Sequence, residues 1–196
     1  MTSTIVWMRH GTCADAHRRP GAHARPTSPL TLLGAYQASR TAGEIAGSAD
    51  AVVSSTLLRA RSTARIVADG TGLALLPADP VFDEWHAPTC VLGLTPAQYP
   101  DAYKEWKRHR IQNPDDALPG GESLSAFRDR ALDAIQSAEQ LARAHGRLVI
   151  VCHRLLIGAV TALRSGTRDA AGAFDVARTF ILKPAAFHVH DLEGSS

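Results

Sequence analysis

A few residues in this sequence have the types and spacing to handle a phosphate ester. His10 lies in Met8-Arg9-His10-Gly11-Thr12, and His153 lies in Val151-Cys152-His153-Arg154. Both directly follow apolar runs that read as buried strands. A histidine attacks phosphorus when one ring nitrogen is free and the other is held by a hydrogen bond. The phosphoryl group carries close to two negative charges, so its oxygens need fixed cationic donors. Arginine supplies a rigid fork of them and does not deprotonate. Arg9 and Arg59 are the candidates, Arg59 because it falls about one turn into a helix after a second strand. A protonated His153 would join them. The departing oxygen needs a proton, and Glu84 beside Trp85 is the candidate acid, in apolar surroundings free of cations that would keep its carboxyl protonated. Asp83 is adjacent and competes for the role. Gly11 would let the backbone approach a ligand closely.

Each of these residues also has an ordinary reading. His10 could cap a strand end, His153 could be a satisfied buried histidine, Arg9 and Arg59 could form surface ion pairs, and Glu84 could be a plain loop carboxylate. What distinguishes the functional reading is the set of elements that must position them. Ile5 to Met8 reads as a strand, and Arg18 to Pro29, with three prolines, as a loop. A helix then opens at Pro29-Leu30-Thr31, capped by Thr31, with Leu33, Ala38, Ala42 and Ile45 on one face. Ala51 to Val53 is a second strand, followed by Ser54-Ser55 and a helix to about Ala68, in which Arg61 and Arg65 face solvent. Leu73 to Leu76 is a short strand candidate. Pro80 to Asn113 reads as an insertion with short helices, and its Trp85, His86 and Trp106 either line a pocket or pack internally. A long helix spans roughly Ser123 to His145, with Leu124, Phe127, Ala131, Ile135 and Leu141 at helical spacing and Gly146 as its stop. Leu148 to Val151 is apolar throughout and should be a central strand. Leu155 to Leu163 is helical, and Phe187 to His190 is a possible final strand whose His188 and His190 read as surface residues.

Strands alternating with helices predict an α/β fold, a three-layer α/β/α sandwich with a mostly parallel central sheet. Ligands in such sheets bind beyond the carboxyl ends of the strands, so Arg9-His10-Gly11, Ser54-Ser55 and Cys152-His153-Arg154 should converge. The 196 residues fit one domain, residues 1–196, with the substrate-side insertion at about 80–113. A net charge of +2 argues against a nucleic-acid or membrane-surface role driven by bulk charge. No signal peptide or membrane span is apparent, which points to a cytoplasmic protein. Cys13, Cys90 and Cys152 lack disulfide or zinc spacing. Cys152 reads as a buried hydrophobe, and Cys13 as packing or a redox-sensitive bystander near the site. The basic loop of Arg18, Arg19 and Arg25 either greets an anionic substrate or is solvated.

Arg9-His10-Gly11 after a first strand resembles the signature of the histidine phosphatase superfamily, the phosphoglycerate-mutase-like group. Ser28-Pro29-Leu30-Thr31 with Gly34 and Gln37-Ala38 is similar to a second segment of that family. Ser54 to Ala60 with Thr63-Ala64 resembles a third, Gly121-Glu122-Ser123 a fourth, and Val149 to His153 the strand carrying its second histidine. The matches keep the family's order from residue 5 to about 160. The resemblance implies a phosphoglycerate-mutase-like fold and a phosphohistidine on His10. It implies phosphoryl contacts from Arg9, Arg59 and His153, proton transfer by Glu84, and no metal or organic cofactor. The substrate would be a small-molecule phosphate ester, and a homodimer is possible. Three departures from the family pattern matter: Thr12 follows Gly11 and could add a hydroxyl to phosphate, Arg154 stands where glycine is usual and could add a phosphate contact, and Asp15, Ala16 and His17 occupy the region where the family often has an asparagine phosphate donor. The leading expectation is a metal-independent phosphatase. The alternatives are a mutase using the same phosphohistidine and a non-catalytic phospho-ligand binding protein.

Overall fold

The computed structural model describes residues 4–191. Five strands, β1 (Thr4–Arg9), β2 (Ala51–Ser54), β3 (Ala74–Leu75), β4 (Leu148–Cys152) and β5 (Phe187–Asp191), form one sheet in the order β3-β2-β4-β1-β5. The first four run parallel, and β5 pairs antiparallel with β1 along one edge. Seven helices of the described residues flank it: α1 (Ala14–Arg18), α2 (Leu32–Ile45), α3 (Leu58–Thr71), α4 (Asp101–His109), α5 (Leu124–His145), α6 (Arg154–Arg164) and α7 (Ala170–Thr179).

The layers follow from the alternation of side chains along each strand. Ile5, Trp7, Val53 and Ile150 point to one face and pack with residues of α5, α6 and α7. Val6, Met8, Val52, Val149 and Val151 point to the other and meet Ala42 and Ile45 of α2 and Ala60, Ala64 and Val67 of α3. The result is the expected three-layer α/β/α sandwich. β4 lies in the middle of the sheet and is buried at all five positions, which accounts for its unbroken apolar run.

Helix starts agree with the capping residues. Thr31 accepts from the Gly34 N–H at 3.0 Å, and Ser123 accepts from the Ala126 N–H at 3.1 Å. The buried stripes differ from expectation in composition. On α2 the contact runs through Gly34, Ala38, Thr41, Ala42 and Ile45, while Leu33 is half exposed. On α5 it runs through Leu124, Phe127 and then four alanines, with Ile135 and Leu141 only flanking it. Both helices approach their neighbours closely, and small residues permit that.

Two helices lie outside the sequence expectations. α1 is five residues long and too short for a periodic signal. α7 carries a readable one: Asp169 accepts from the Gly172 N–H at 2.7 Å as its cap, and Ala170, Ala173, Phe174 and Ala177 are its buried face. His188 and His190 also differ from expectation. They are half buried beside Trp7, while Val189 faces outward. The connection from β3 to α5 contains three short 3-10 turns and α4, and its Trp85 and Trp106 stack at 6.2 Å.

Candidate active site

The strand register brings the two histidines together. Arg9 of β1 pairs with Cys152 of β4, and the His10 N–H donates to the Cys152 carbonyl at 3.0 Å. The residues that follow, His10 and His153, therefore leave the sheet side by side, with ring centroids 5.0 Å apart. Ser54 of β2 pairs with Val151, which sets Ser55 on the far side of His153.

His10 is 8% exposed, and both of its ring nitrogens are engaged. Nδ1 lies 2.7 Å from the Gly11 carbonyl, which can only accept, so Nδ1 carries the proton. Nε2 is then left with its lone pair. Arg59 Nε–H donates to it at 3.1 Å. Burial, and next the adjacent Arg59 guanidinium, push the His10 pKa well below the usual histidine value. His10 is thus a neutral imidazole with a defined tautomer and Nε2 available to an electrophile.

His153 is fully buried. The Leu57 N–H donates to Ser55 Oγ at 3.2 Å, so the Ser55 hydroxyl proton is free to point to His153 Nε2, 2.6 Å away. His153 Nδ1 is buried and has no protein partner. Leaving such a buried polar atom unsatisfied costs about 1–3 kcal/mol. The protonated His153 expected from the sequence is not what this environment favours. Burial, then Arg59 and His10, push its pKa well below the usual value. His153 is a neutral ring with an unpartnered Nδ1.

Beside His10 opens a cavity of about 540 Å3 lined by Arg9, His10, Cys13, Arg59, Glu84 and Arg154, among others; the fully buried His153 is not among its lining residues. Burial lowers the pKa of both Arg9 and Arg59 from the ordinary arginine value. Arg9 donates through Nη1 to the Leu182 carbonyl, and its buried Nε has no partner. Arg59 donates through Nη1 to the Arg25 carbonyl at 3.1 Å. Arg154 lines the cavity, yet its Nη1 donates to the Ala177, Arg178 and Phe180 carbonyls at 2.9–3.2 Å. It ties the N-terminus of α6 to the C-terminus of α7, where a cation is favoured.

Glu84 and Asp83 are separated by what they touch. Asp83 is buried, and its carboxylate accepts from the Thr56 N–H at 2.7 Å and from the Thr56 hydroxyl. Glu84 lines the cavity, and its carboxylate accepts from the Leu155 and Leu156 N–H groups at 3.2 Å, at the start of α6. Its surroundings are not the apolar, cation-free ones expected: Arg9 and Arg59 lie close enough to interact with it electrostatically. Its backbone is clamped by Arg130, which donates to the Asp83 carbonyl at 2.6 Å and the Glu84 carbonyl at 3.2 Å. The same guanidinium pairs with Glu122 through two nitrogens, at 2.7 and 2.8 Å. Arg130 escaped the sequence reading because nothing in its local pattern separates it from the other charges of α5.

Two expectations change near His10. The Thr12 hydroxyl donates to Gln37 Oε1 at 3.0 Å, and Thr12 does not line the cavity. Gly11 makes room for a helix, not a ligand. A Cβ built on it would sit 2.3 Å from the Gly34 carbonyl oxygen, and one on Gly34 would sit 2.1 Å from the Thr12 carbonyl oxygen. Gly11, Thr12, Gly34 and Gln37 together lock the His10 loop onto α2. The Thr63 hydroxyl adds a bond from the Gly11 N–H at 3.2 Å.

Trp85 and His86 line the cavity, while Trp106 stacks behind Trp85. Arg18, Arg19 and Arg25 do not line it; Arg25 pairs with Asp15 at 3.4 Å. Cys13 is a buried wall residue of the cavity. His23 lines it too and was not apparent from sequence, since it sits in a Pro- and Arg-rich loop without periodicity. Among the described residues, no group of three or more His, Cys, Asp or Glu is placed to hold a metal ion, and no helix is long and apolar enough to cross a membrane.

Comparison with known proteins places this geometry. A protein of Serratia proteamaculans described as a probable phosphoglycerate mutase GpmB is 30% identical over 157 residues, covering 79% of this chain and 71% of that one. The solved structure of a putative alpha-ribazole-5'-P phosphatase from Escherichia coli is similar with a TM-score of 0.80 at 21% identity, over 99% of this chain and 92% of the other. A mycobacterial glucosyl-3-phosphoglycerate phosphatase is similar with a TM-score of 0.75 at 24% identity, over 95% and 90%. Residues 5–181 match the histidine phosphatase superfamily (branch 1), and the chain belongs to that family.

Proposed function

We propose that this protein is a metal-independent phosphatase that hydrolyses a small phosphorylated metabolite through a phosphohistidine on His10 Nε2. One observation carries the reading: the Gly11 carbonyl fixes the proton of His10 on Nδ1 and leaves the Nε2 lone pair facing Arg59, with the unpartnered Nδ1 of His153 on the neighbouring ring. In the first half-reaction the ester's non-bridging oxygens take donors from Arg9, Arg59 and His153. Arg59 Nε–H turns from His10 Nε2 to a phosphoryl oxygen, and Nε2 attacks phosphorus. The bond from phosphorus to the alcohol oxygen breaks, and Glu84 in its acid form protonates that oxygen. Water then attacks the phosphohistidine, Glu84 takes its proton, and phosphate leaves. The His153 N–H and the two guanidiniums meet charge that grows on the equatorial oxygens.

A mutase reading is favoured by the name of the Serratia relative, and it uses the same first half-reaction. The two diverge at the second, where water or a hydroxyl of the substrate attacks. The test is hydrolysis of p-nitrophenyl phosphate with chelator present, with inorganic phosphate as the readout. Turnover should survive chelation and fall by at least about 10⁴-fold in His10→Ala. A rapid acid-free quench should trap phosphate on the wild-type histidine. Undiminished turnover in His10→Ala would overturn the proposal. Transfer to added glycerate without phosphate release would favour the mutase, and ester binding without turnover would favour a binding protein.

A further inference from the structure

We infer that the substrate's phosphate is its only anionic group, and that the outer cavity takes an uncharged, ring-bearing alcohol as the leaving group. This deepens the proposed phosphatase reading and rests on it. Few cations reach the cavity. Those lining the cavity are Arg9, Arg59 and Arg154. The first two flank His10 and belong to the phosphoryl end. Arg154 is tied through Nη1 to three carbonyls of α7 and the residues after it. The other guanidiniums nearby are engaged elsewhere. Arg25 pairs with Asp15, Arg19 donates to the Gly93 carbonyl at 2.9 Å, and Arg110 sits over the rings of Trp85, Trp106 and Phe174.

Beside His86 and Thr89, the outer walls are apolar or aromatic: Ala22, Ala24, Leu92, Leu155, Trp85 and His23. His23 stacks on Tyr99 at 5.7 Å and presents a flat, backed ring. It adds no charge near neutral pH, because burial, then Arg110 and Lys107, lower its pKa to about 4. An anion against the apolar and aromatic walls would lose its water without gaining a partner there. A ring would gain apolar contact, and the cavity is far larger than a phosphate alone requires.

The experiment compares three alkyl phosphates, so that leaving-group reactivity is matched: 2-phenylethyl phosphate, glycerol 1-phosphate and 3-phosphoglycerate. For the wild-type protein, kcat/KM should be about 10-fold higher for the phenylethyl ester than for glycerol 1-phosphate, and about 100-fold higher than for 3-phosphoglycerate. Leu92→Arg, which puts a cation on the apolar wall, should narrow the phenylethyl-to-phosphoglycerate ratio at least about 5-fold. Equal or better use of 3-phosphoglycerate by the wild type would overturn the inference. If none of the esters is turned over, the phosphatase reading fails, and calorimetric titration of the same esters still decides this one. Tightest binding of the phenylethyl ester supports it, and tightest binding of 3-phosphoglycerate overturns it.

Discussion

The Arg59 Nε–H donates to the lone pair that would attack phosphorus, so Arg59 and a substrate compete for His10 Nε2. A phosphoryl oxygen is the better acceptor because it is charged, and moving the donor to it frees the nucleophile in the same motion. The two adjacent carboxylates divide at the same scale. Asp83 is committed to Thr56, whereas Glu84 opens on the cavity. Glu84→Gln should lower kcat for alkyl phosphates by about 10²–10⁴-fold. The loss should be smaller for p-nitrophenyl phosphate, whose leaving group departs without a proton. Asp83→Asn should cost less activity and more stability, because its buried carboxylate holds the Thr56 N–H and hydroxyl. Steady-state kinetics on both esters, with thermal melts of both variants, checks the assignment.

At the scale of elements, the site depends on two backbones in near contact. The loop after β1 touches α2 at Gly34, and neither surface has room for a methyl group. Gly34→Ala should therefore push the His10 loop off α2, costing about 1–3 kcal/mol of stability. Displacement of a reacting group by about 1 Å can cost about 10²-fold in rate, so kcat should fall as well. Gly43 on the same helix is the control, since a Cβ there meets nothing within 4 Å. Gly43→Ala should keep full activity and gain up to about 1 kcal/mol. Denaturant unfolding and kcat of the two variants separate packing from propensity. A second element-level device is the Arg130–Glu122 pair, which fixes the turn carrying Glu84 from the first half of α5.

For the whole molecule, histidine burial sets the response to acid. His10 and His153 are held well below the ordinary histidine pKa, chiefly by burial, and His23 and His190 are lowered to about 4. The unfolded chain takes up these protons near pH 6.5, while the folded chain resists them. The unfolded state therefore binds more protons below that point. The stabilisation is full above pH 6.5 and is lost as pH falls toward 4 and below. Tm should decline steadily from pH 7 to pH 4, as thermal melts in matched ionic strength would record. A flat Tm across that window would contradict neutral burial of the four rings.

Much of the framework was legible in the sequence because it is local. The runs Ile5 to Met8 and Leu148 to Val151 announce buried strands, Thr31 and Ser123 announce helix starts, and chain order alone puts His10 and His153 at strand ends. Those features depend on side-chain periodicity and capping, which act within a few residues. Only the tertiary structure decided the rest. The pairing of Arg9 with Cys152 sets the two rings 5.0 Å apart, and no local pattern encodes a register between residues so far apart in sequence. Packing turned Gly11 from a ligand contact into a helix contact and tied the Thr12 hydroxyl to Gln37. It left His153 neutral, because desolvation and neighbouring cations depend on what surrounds a ring in space. It also told Glu84 from Asp83, adjacent carboxylates that point to different partners once the turn between them is fixed.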